Sequence, residues 1–361
     1  MPTRGVEILT LPPSLDGWLM WVHREHDHAG NQPCRKSFQA KFPGKPRRYR
    51  TVETVTFKNK NIDIAADIHF PPNFDPTRKY PTIVSAHPVG SCKEQTSGSV
   101  YGKAFAEAGF VVLAFDAGYQ AGSSGEPRQL EDATLRVEDF RCAADYLVTL
   151  DYVDENRIGV FGMCAGGGYT WAAAMTERRF KAVATVTGVN LGRLLRQGDM
   201  SPDAAIKTLE AIAAQRTIEA RGGEQRLDSS LPPSVEAAQE MGIVGPLHID
   251  VAEATEYYKT PRGAHPHGTN LWAFASMAPT VWFDAYHLAD KLLTQPLMLV
   301  VGNKPGEFGA YRDAFTVYDL AASQDKELVV IPDVSHYDLY DKPEAVGPAL
   351  DALIPFYTKH L

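Results

Sequence analysis

Four cysteines in 361 residues, Cys34, Cys92, Cys142 and Cys164, are too scattered for a disulfide framework, and no C-x-x-C spacing offers a redox or zinc pair. Basic charge is also short. The 36 Lys and Arg stand against 44 Asp and Glu, giving a net charge of −8, which argues against nucleic acid or an anionic membrane as the main partner. No apolar run has the length of a membrane span or a signal core; the nearest, Trp18 to Val22, is too short. No internal repeat is visible. No loop fits a phosphate cradle either: Gly166-x-Gly168 is followed three residues later by Trp171, where a dinucleotide loop needs glycine, and no lysine follows as a P-loop requires. What remains is the expectation of a soluble, cytoplasmic chain without metal or cofactor. With 44% hydrophobic residues it can bury a large core.

What is present begins at Arg157. The short apolar run Ile158 to Phe161 leads into Gly162-Met163-Cys164-Ala165-Gly166, and an alanine-rich helical segment follows at once. Strand, sharp turn and helix with one reactive side chain at the apex is the setting of the G-x-S-x-G nucleophile elbow of α/β-hydrolase folds, here with cysteine in place of serine. The apex backbone is strained, so its neighbours must be small for strand and helix to approach closely. A thiol there sits at a helix N-terminus, whose dipole favours the thiolate.

The flanking pattern fits such a fold. Thr51 to Phe57 and Ile62 to His69 alternate as in an antiparallel hairpin at a sheet edge. Thr82 to Ala86, Val111 to Phe115, Ile158 to Phe161, Lys181 to Val186, Pro296 to Val301 and Glu327 to Ile331 are short apolar runs of parallel-strand character. Helical segments Gly98 to Gly109 and Asp132 to Leu150 lie between them, which implies a mostly parallel sheet covered on both faces. Residues 191–272 interrupt the alternation and read as an inserted helical cap, with the core in 51–190 and 273–361. In and beside the cap, Tyr257, Tyr258, Trp272, Trp282 and Phe283 are candidates to line an acyl pocket, or are ordinary packing between cap and core. Residues 1–50 form a separate extension. Its His23, His26, His28 and Cys34 match no common metal-site spacing, and it reads as an arm over the core or a contact within a homodimer.

A thiol nucleophile needs a base, and the base an orienting acid. His336, on the loop after the run Val329 to Ile331, has the placement of the base. The acid normally follows the preceding strand, but Pro305 and Gly306 fill the usual places. Glu307 lies closest to the strand end and Asp313 heads the next helix; either is in reach of His336. The oxyanion would be met by the N–H of Ala165 and by that of Val89 or Gly90, since Pro88 has none. Cys92, in the same loop, is placed to approach Cys164.

The runs HPVGSCKEQTSG, FDAGYQAGSSGEPRQLEDATLRVEDFRCAADYL, RIGVFGMCAGGGY and SHYDLYDKPE together resemble the dienelactone-hydrolase-like α/β-hydrolases, and within them the fungal polyketide transferase branch. The likeness spans roughly Thr51 to Leu361. It implies an enzyme that releases an acyl chain from a polyketide synthase by transfer to an alcohol, by lactonisation or by hydrolysis. An acyl carrier domain or coenzyme A would be the donor. It implies Cys164 as nucleophile, His336 as base and Asp313 as acid. At the place of Gly306, bacterial relatives tend to hold a carboxylate. A plain ester or lactone hydrolase, and a ligand-binding protein without catalysis, are the rival readings.

Overall fold

The computed structural model describes residues 51–197 and 200–361; the arm with His23, His26, His28 and Cys34 lies outside them. Ten strands are β1 (Val52–Asn59), β2 (Ile62–His69), β3 (Tyr80–Ala86), β4 (Val111–Phe115), β5 (Val153–Met163), β6 (Phe180–Val186), β7 (Leu227–Ser229), β8 (Leu271–Ala273), β9 (Leu297–Gly302) and β10 (Lys326–Ile331). Eight of them make one sheet in the order β1-β2-β4-β3-β5-β6-β9-β10. The alternating pair β1 and β2 is antiparallel, in register from Val52 opposite His69 to Asn59 opposite Ile62. β2 also runs antiparallel to β4, and every pairing from β4 to β10 is parallel. The apolar runs of β3, β4, β5, β6 and β9 are central strands buried on both faces, whereas β10 closes the sheet as a partly exposed edge strand.

The period of two along β5 assigns those faces. A Cβ on Gly159 would meet Tyr357 at 2.9 Å, and the next residue but one, Phe161, packs edge-on against Phe105 at 5.1 Å. That side is covered by the helices Lys103–Glu107 and Pro343–His360. The next residue, Gly162, points to the opposite face and meets Thr170, on the helix Ala165–Thr176. Beside that helix lies Ala133–Leu147, started by Asp132, whose carboxylate accepts from the N–H of Thr134 at 2.8 Å and of Leu135 at 3.2 Å.

Between β6 and β9 the alternation lapses. The helix Pro202–Ala220 presents almost only Ile212 to the interior, and Ile212 packs with Met277 and Val281 in a small cluster of its own. β7 and β8 pair as a short antiparallel ribbon. The helix Ile249–Lys259 is different in kind, burying Asp250, Ala254, Thr255, Tyr257 and Tyr258. The described residues form one compact unit, this excursion included. Among the described residues no helix is long and apolar enough to cross a membrane. The loops leaving β3, β5, β9 and β10 all depart from the C-terminal ends of parallel strands, the edge where open α/β sheets place their ligands.

Candidate active site

Cys164 stands alone between β5 and the helix Ala165–Thr176 with φ 51° and ψ −126°. Positive φ in a residue with a Cβ stores about 1–3 kcal/mol of strain, which the surroundings must hold in place. They do so by close packing. The Cys164 carbonyl accepts from the N–H of Gly167 at 2.9 Å and of Val189 at 2.8 Å. A Cβ on Gly162 would fall 2.3 Å from Thr170 Oγ1, and one on Gly166 would fall 2.6 Å from the His87 carbonyl oxygen. Both flanking glycines are thus sterically required.

The sulfur is enclosed. Cys164 is 5% exposed, and its thiol is reached by the N–H of Ala165 and by the hydroxyl of Tyr340. Those donors favour the thiolate, as a helix N-terminus should. Burial outweighs them and pushes the thiol up to about 12. His336, 4% exposed, comes from the loop after β10, and its Nε2 lies 3.4 Å from the same Tyr340 hydroxyl. Cys164 and His336 therefore converge on one phenol oxygen. Burial alone drives His336 down to about 3, so the resting pair is thiol and neutral imidazole. The His336 Nδ1 atom is buried and has no partner among the described residues.

The loop after β3 is braced from beneath. The Ala117 N–H donates to His87 Nε2 at 3.0 Å, which leaves the His87 Nδ1–H to donate to the Pro88 carbonyl at 2.6 Å. Arg136 donates to the His87 carbonyl at 2.9 Å. Gly90, at φ 66°, is backed by Asn270, whose N–H donates to the Gly90 carbonyl at 2.9 Å. Val89 is half-buried against the main core.

Three carboxylates lie around this part of the site, and each has a different occupation. Asp313 is fully buried on Arg193, with Nε at 2.5 Å and Nη2 at 2.8 Å, and it accepts the Asn190 N–H at 2.7 Å. Glu307 accepts from the N–H of Asp250 at 3.0 Å and of Val251 at 3.2 Å, capping the helix Ile249–Lys259. Asp250, which the sequence reading passed over, accepts the Phe308 N–H on Oδ2 at 2.7 Å. Its Oδ1 is buried without a partner among the described residues, and it lines one small cavity with His336, Gly306, Lys304 and Tyr311. Burial, reinforced by Glu307 and Glu253, pushes Asp250 up to about 7.

Tyr257 and Tyr258 join Tyr337 and Tyr340 in one aromatic cluster beside the sulfur. Tyr257 meets Tyr340 at 5.0 Å and Tyr337 meets Tyr340 at 4.4 Å. The other aromatics named from sequence lie elsewhere. Trp272 packs on the Ile212 cluster, Trp282 is 82% exposed, and Phe283 stacks on Tyr169 at 5.5 Å. Cys92 points to His265, with Sγ 3.4 Å from Nδ1, and is a free thiol like Cys164. Cys92, Glu94 and His265 hold three metal-type donor atoms within 4.8 Å of one another. Lys93 already occupies Glu94 at 2.5 Å and Asp67 at 3.0 Å, neutralising the charge a cation would need.

Comparison with known proteins identifies the fold and the family. Residues 99–197, from the helical segment after β3 through the turn at Cys164 and beyond, match the model of the prolyl oligopeptidase family. The uncharacterized protein YcjY of Escherichia coli is 41% identical over 313 residues, 85% of this chain and 98% of that protein. The uncharacterized protein PA2218 of Pseudomonas aeruginosa is 32% identical over 85% of this chain and 80% of its own length. Its crystal structure superposes with a TM-score of 0.74, covering 91% of this chain and 99% of that one. A more distant relative is the acyltransferase drtE of Aspergillus calidoustus, 26% identical over 70% of this chain and 75% of that protein. The chain belongs to the family of YcjY and PA2218, within the α/β-hydrolase superfamily.

Proposed function

We propose that the chain is a cysteine-dependent acyltransferase or thioesterase, and that Cys164 carries the acyl group as a thioester. The observation that carries this reading is the convergence of Cys164 and His336 on the Tyr340 hydroxyl, with Cys164 held at positive φ beside the Ala165 N–H. Membership of the α/β-hydrolase superfamily and the likeness to a named acyltransferase support it. So does the resemblance of the four sequence runs to polyketide transferases, which makes a polyketide-type chain on a carrier domain or coenzyme A the donor of choice.

In the first half-reaction the thiol proton passes to His336 Nε2, by way of the Tyr340 oxygen, and the sulfur attacks the carbonyl carbon. The oxyanion would form against the N–H of Ala165 and that of Val89 or Gly90. Collapse expels the donor thiolate, which takes the proton from the imidazolium. His336 then removes a proton from an alcohol or from water; the resulting oxygen nucleophile attacks the acyl-cysteine and releases the Cys164 thiolate, which takes that proton back from the imidazolium to restore thiol and neutral imidazole. The enclosed sulfur requires the tyrosines over it to part for substrate. A dry, aromatic site favours a bound alcohol over water.

Intact-protein mass spectrometry after brief exposure to acyl thioesters tests the reading. The wild type gains one acyl mass, Cys164→Ala gains none, and added alcohol discharges the adduct faster than water alone. Turnover without an adduct on either protein would sink the covalent reading.

A further inference from the structure

We propose that the acid behind His336 is Asp250, a positioning residue delivered by the inserted helix Ile249–Lys259 rather than by the loop after β9, so that docking of this helix completes the site. The proposal rests on the reading of His336 as the base. Three independent placements carry it.

The first is steric. A Cβ on Gly306 would fall 2.2 Å from both Cγ and Oδ1 of Asp250, so the Asp250 carboxylate fills the space that a side chain on residue 306 would enter. Residue 306 is on the loop after β9, where the acid of this fold ordinarily starts. The carboxylate is in the customary place but arrives from another part of the chain.

The second is the shared cavity. Asp250 Oδ1 and His336 Nδ1 are both buried, both lack a partner among the described residues, and both residues line the same small cavity of about 10 Å³, roughly the room of one water. An imidazole that must act through Nε2 needs an acceptor on the Nδ1 side to fix its tautomer. Singly, each group is pushed toward neutrality; one proton held between them relieves both. The groups facing this pair are Glu307 and Glu253 toward Asp250, Phe308, Tyr337 and Tyr340 around the imidazole, and Lys304 and Tyr311 on the cavity wall.

The third is occupancy. Asp313 is spent on Arg193 and Asn190, and Glu307 is spent on the helix N-terminus. The same helix is pinned over the base loop at further points: Ser335 Oγ donates to Glu253 at 2.5 Å, and Arg262, just beyond it, holds Asp341 at 2.7 Å and the Tyr337 carbonyl at 2.8 Å. A helix that leaves these contacts to admit substrate takes the acid with it. Catalytic competence is then tied to closure.

The test compares wild type, Asp250→Asn, Asp250→Ala and the double variant Asp250→Ala with Gly306→Asp, using the acyl thioesters that label the wild type. Asp250→Asn, nearly isosteric, is expected to lower kcat about a hundredfold or more with little change in KM. It should also change the tautomer of the neutral His336 imidazole, read by nitrogen NMR in Cys164→Ala protein, because the acceptor that holds the proton on Nδ1 is replaced. Moving the carboxylate back to position 306 should recover at least about tenfold over Asp250→Ala. A kcat and a His336 tautomer unchanged in Asp250→Asn, with only the melting temperature lowered, would overturn the proposal. Failure of the underlying reading looks different: His336→Gln would then be as active as wild type, whatever Asp250 does.

Discussion

The Asp250 carboxylate and the backbone of Gly306 compete for one volume: a Cβ on Gly306 would lie 2.2 Å from Asp250 Oδ1. Gly306→Ala in the wild type should therefore force Asp250 off the Phe308 N–H and cost about 1–3 kcal/mol of stability. In an Asp250→Ala background the methyl group enters emptied space and costs far less. A double-mutant cycle on urea unfolding checks this; residues in contact couple by about 0.5–3 kcal/mol, and additive effects would place Asp250 away from Gly306.

Asp313 and Arg193 form a buried pair, 0% and 4% exposed, and their expected role is structural. Asp313→Ala leaves a guanidinium in the interior without its counter-charge, a loss of about 3–5 kcal/mol. The melting temperature should drop sharply while the pH profile of turnover in the remaining folded enzyme stays put. A collapse of kcat in Asp313→Asn at unchanged melting temperature would instead make Asp313 the orienting acid.

Tyr340 holds the only described hydroxyl hydrogen-bonded by both Cys164 and His336. Its backbone carbonyl accepts from Thr96 Oγ1 at 2.7 Å, so the ring is fixed from behind. Tyr340→Phe keeps the ring and deletes the relay atom. A fall in kcat on the order of a hundredfold with KM nearly constant is expected, with only about 1 kcal/mol lost from stability. Rates equal to wild type would mean that His336 reaches the sulfur directly once substrate is bound.

The sheet and the elbow were legible because local composition fixes them. Val111–Phe115 is a strand over the very residues that its apolar run marks, and Gly162 and Gly166 are small because strand, helix and the His87 carbonyl crowd them. The surroundings of the base were not. Asp250 and Phe308 lie 58 residues apart, and nothing near Asp250 in sequence marks it as facing a histidine. The one signal was negative: a loop after β9 with Pro305 and Gly306 where a carboxylate is usual, which left the acid open between Glu307 and Asp313. The exposed Trp282 teaches the converse, since aromatic character alone does not place a residue in a pocket.

Asp250 and His336 should also leave a signature in stability against pH. In the folded wild type Asp250 keeps its proton up to about 7 and His336 stays neutral down to about 3. The folded pair thus holds one proton between about pH 4 and 6.5; so does the unfolded pair, with ordinary values of 3.8 and 6.5, and the pair adds no slope there. In Asp250→Asn the folded imidazole binds no proton in that window while the unfolded one does. Stability relative to wild type should then fall on acidification below pH 6.5, by about 1.4 kcal/mol per unit. In His336→Gln the sign reverses: folded Asp250 holds a proton that the unfolded chain has released, so stability falls as pH rises from about 4 to 7. Urea unfolding at several pH values in this range measures both slopes. Curves parallel to wild type in both variants would show that neither group is withdrawn from water in the folded protein, and the enclosed base would have to be abandoned.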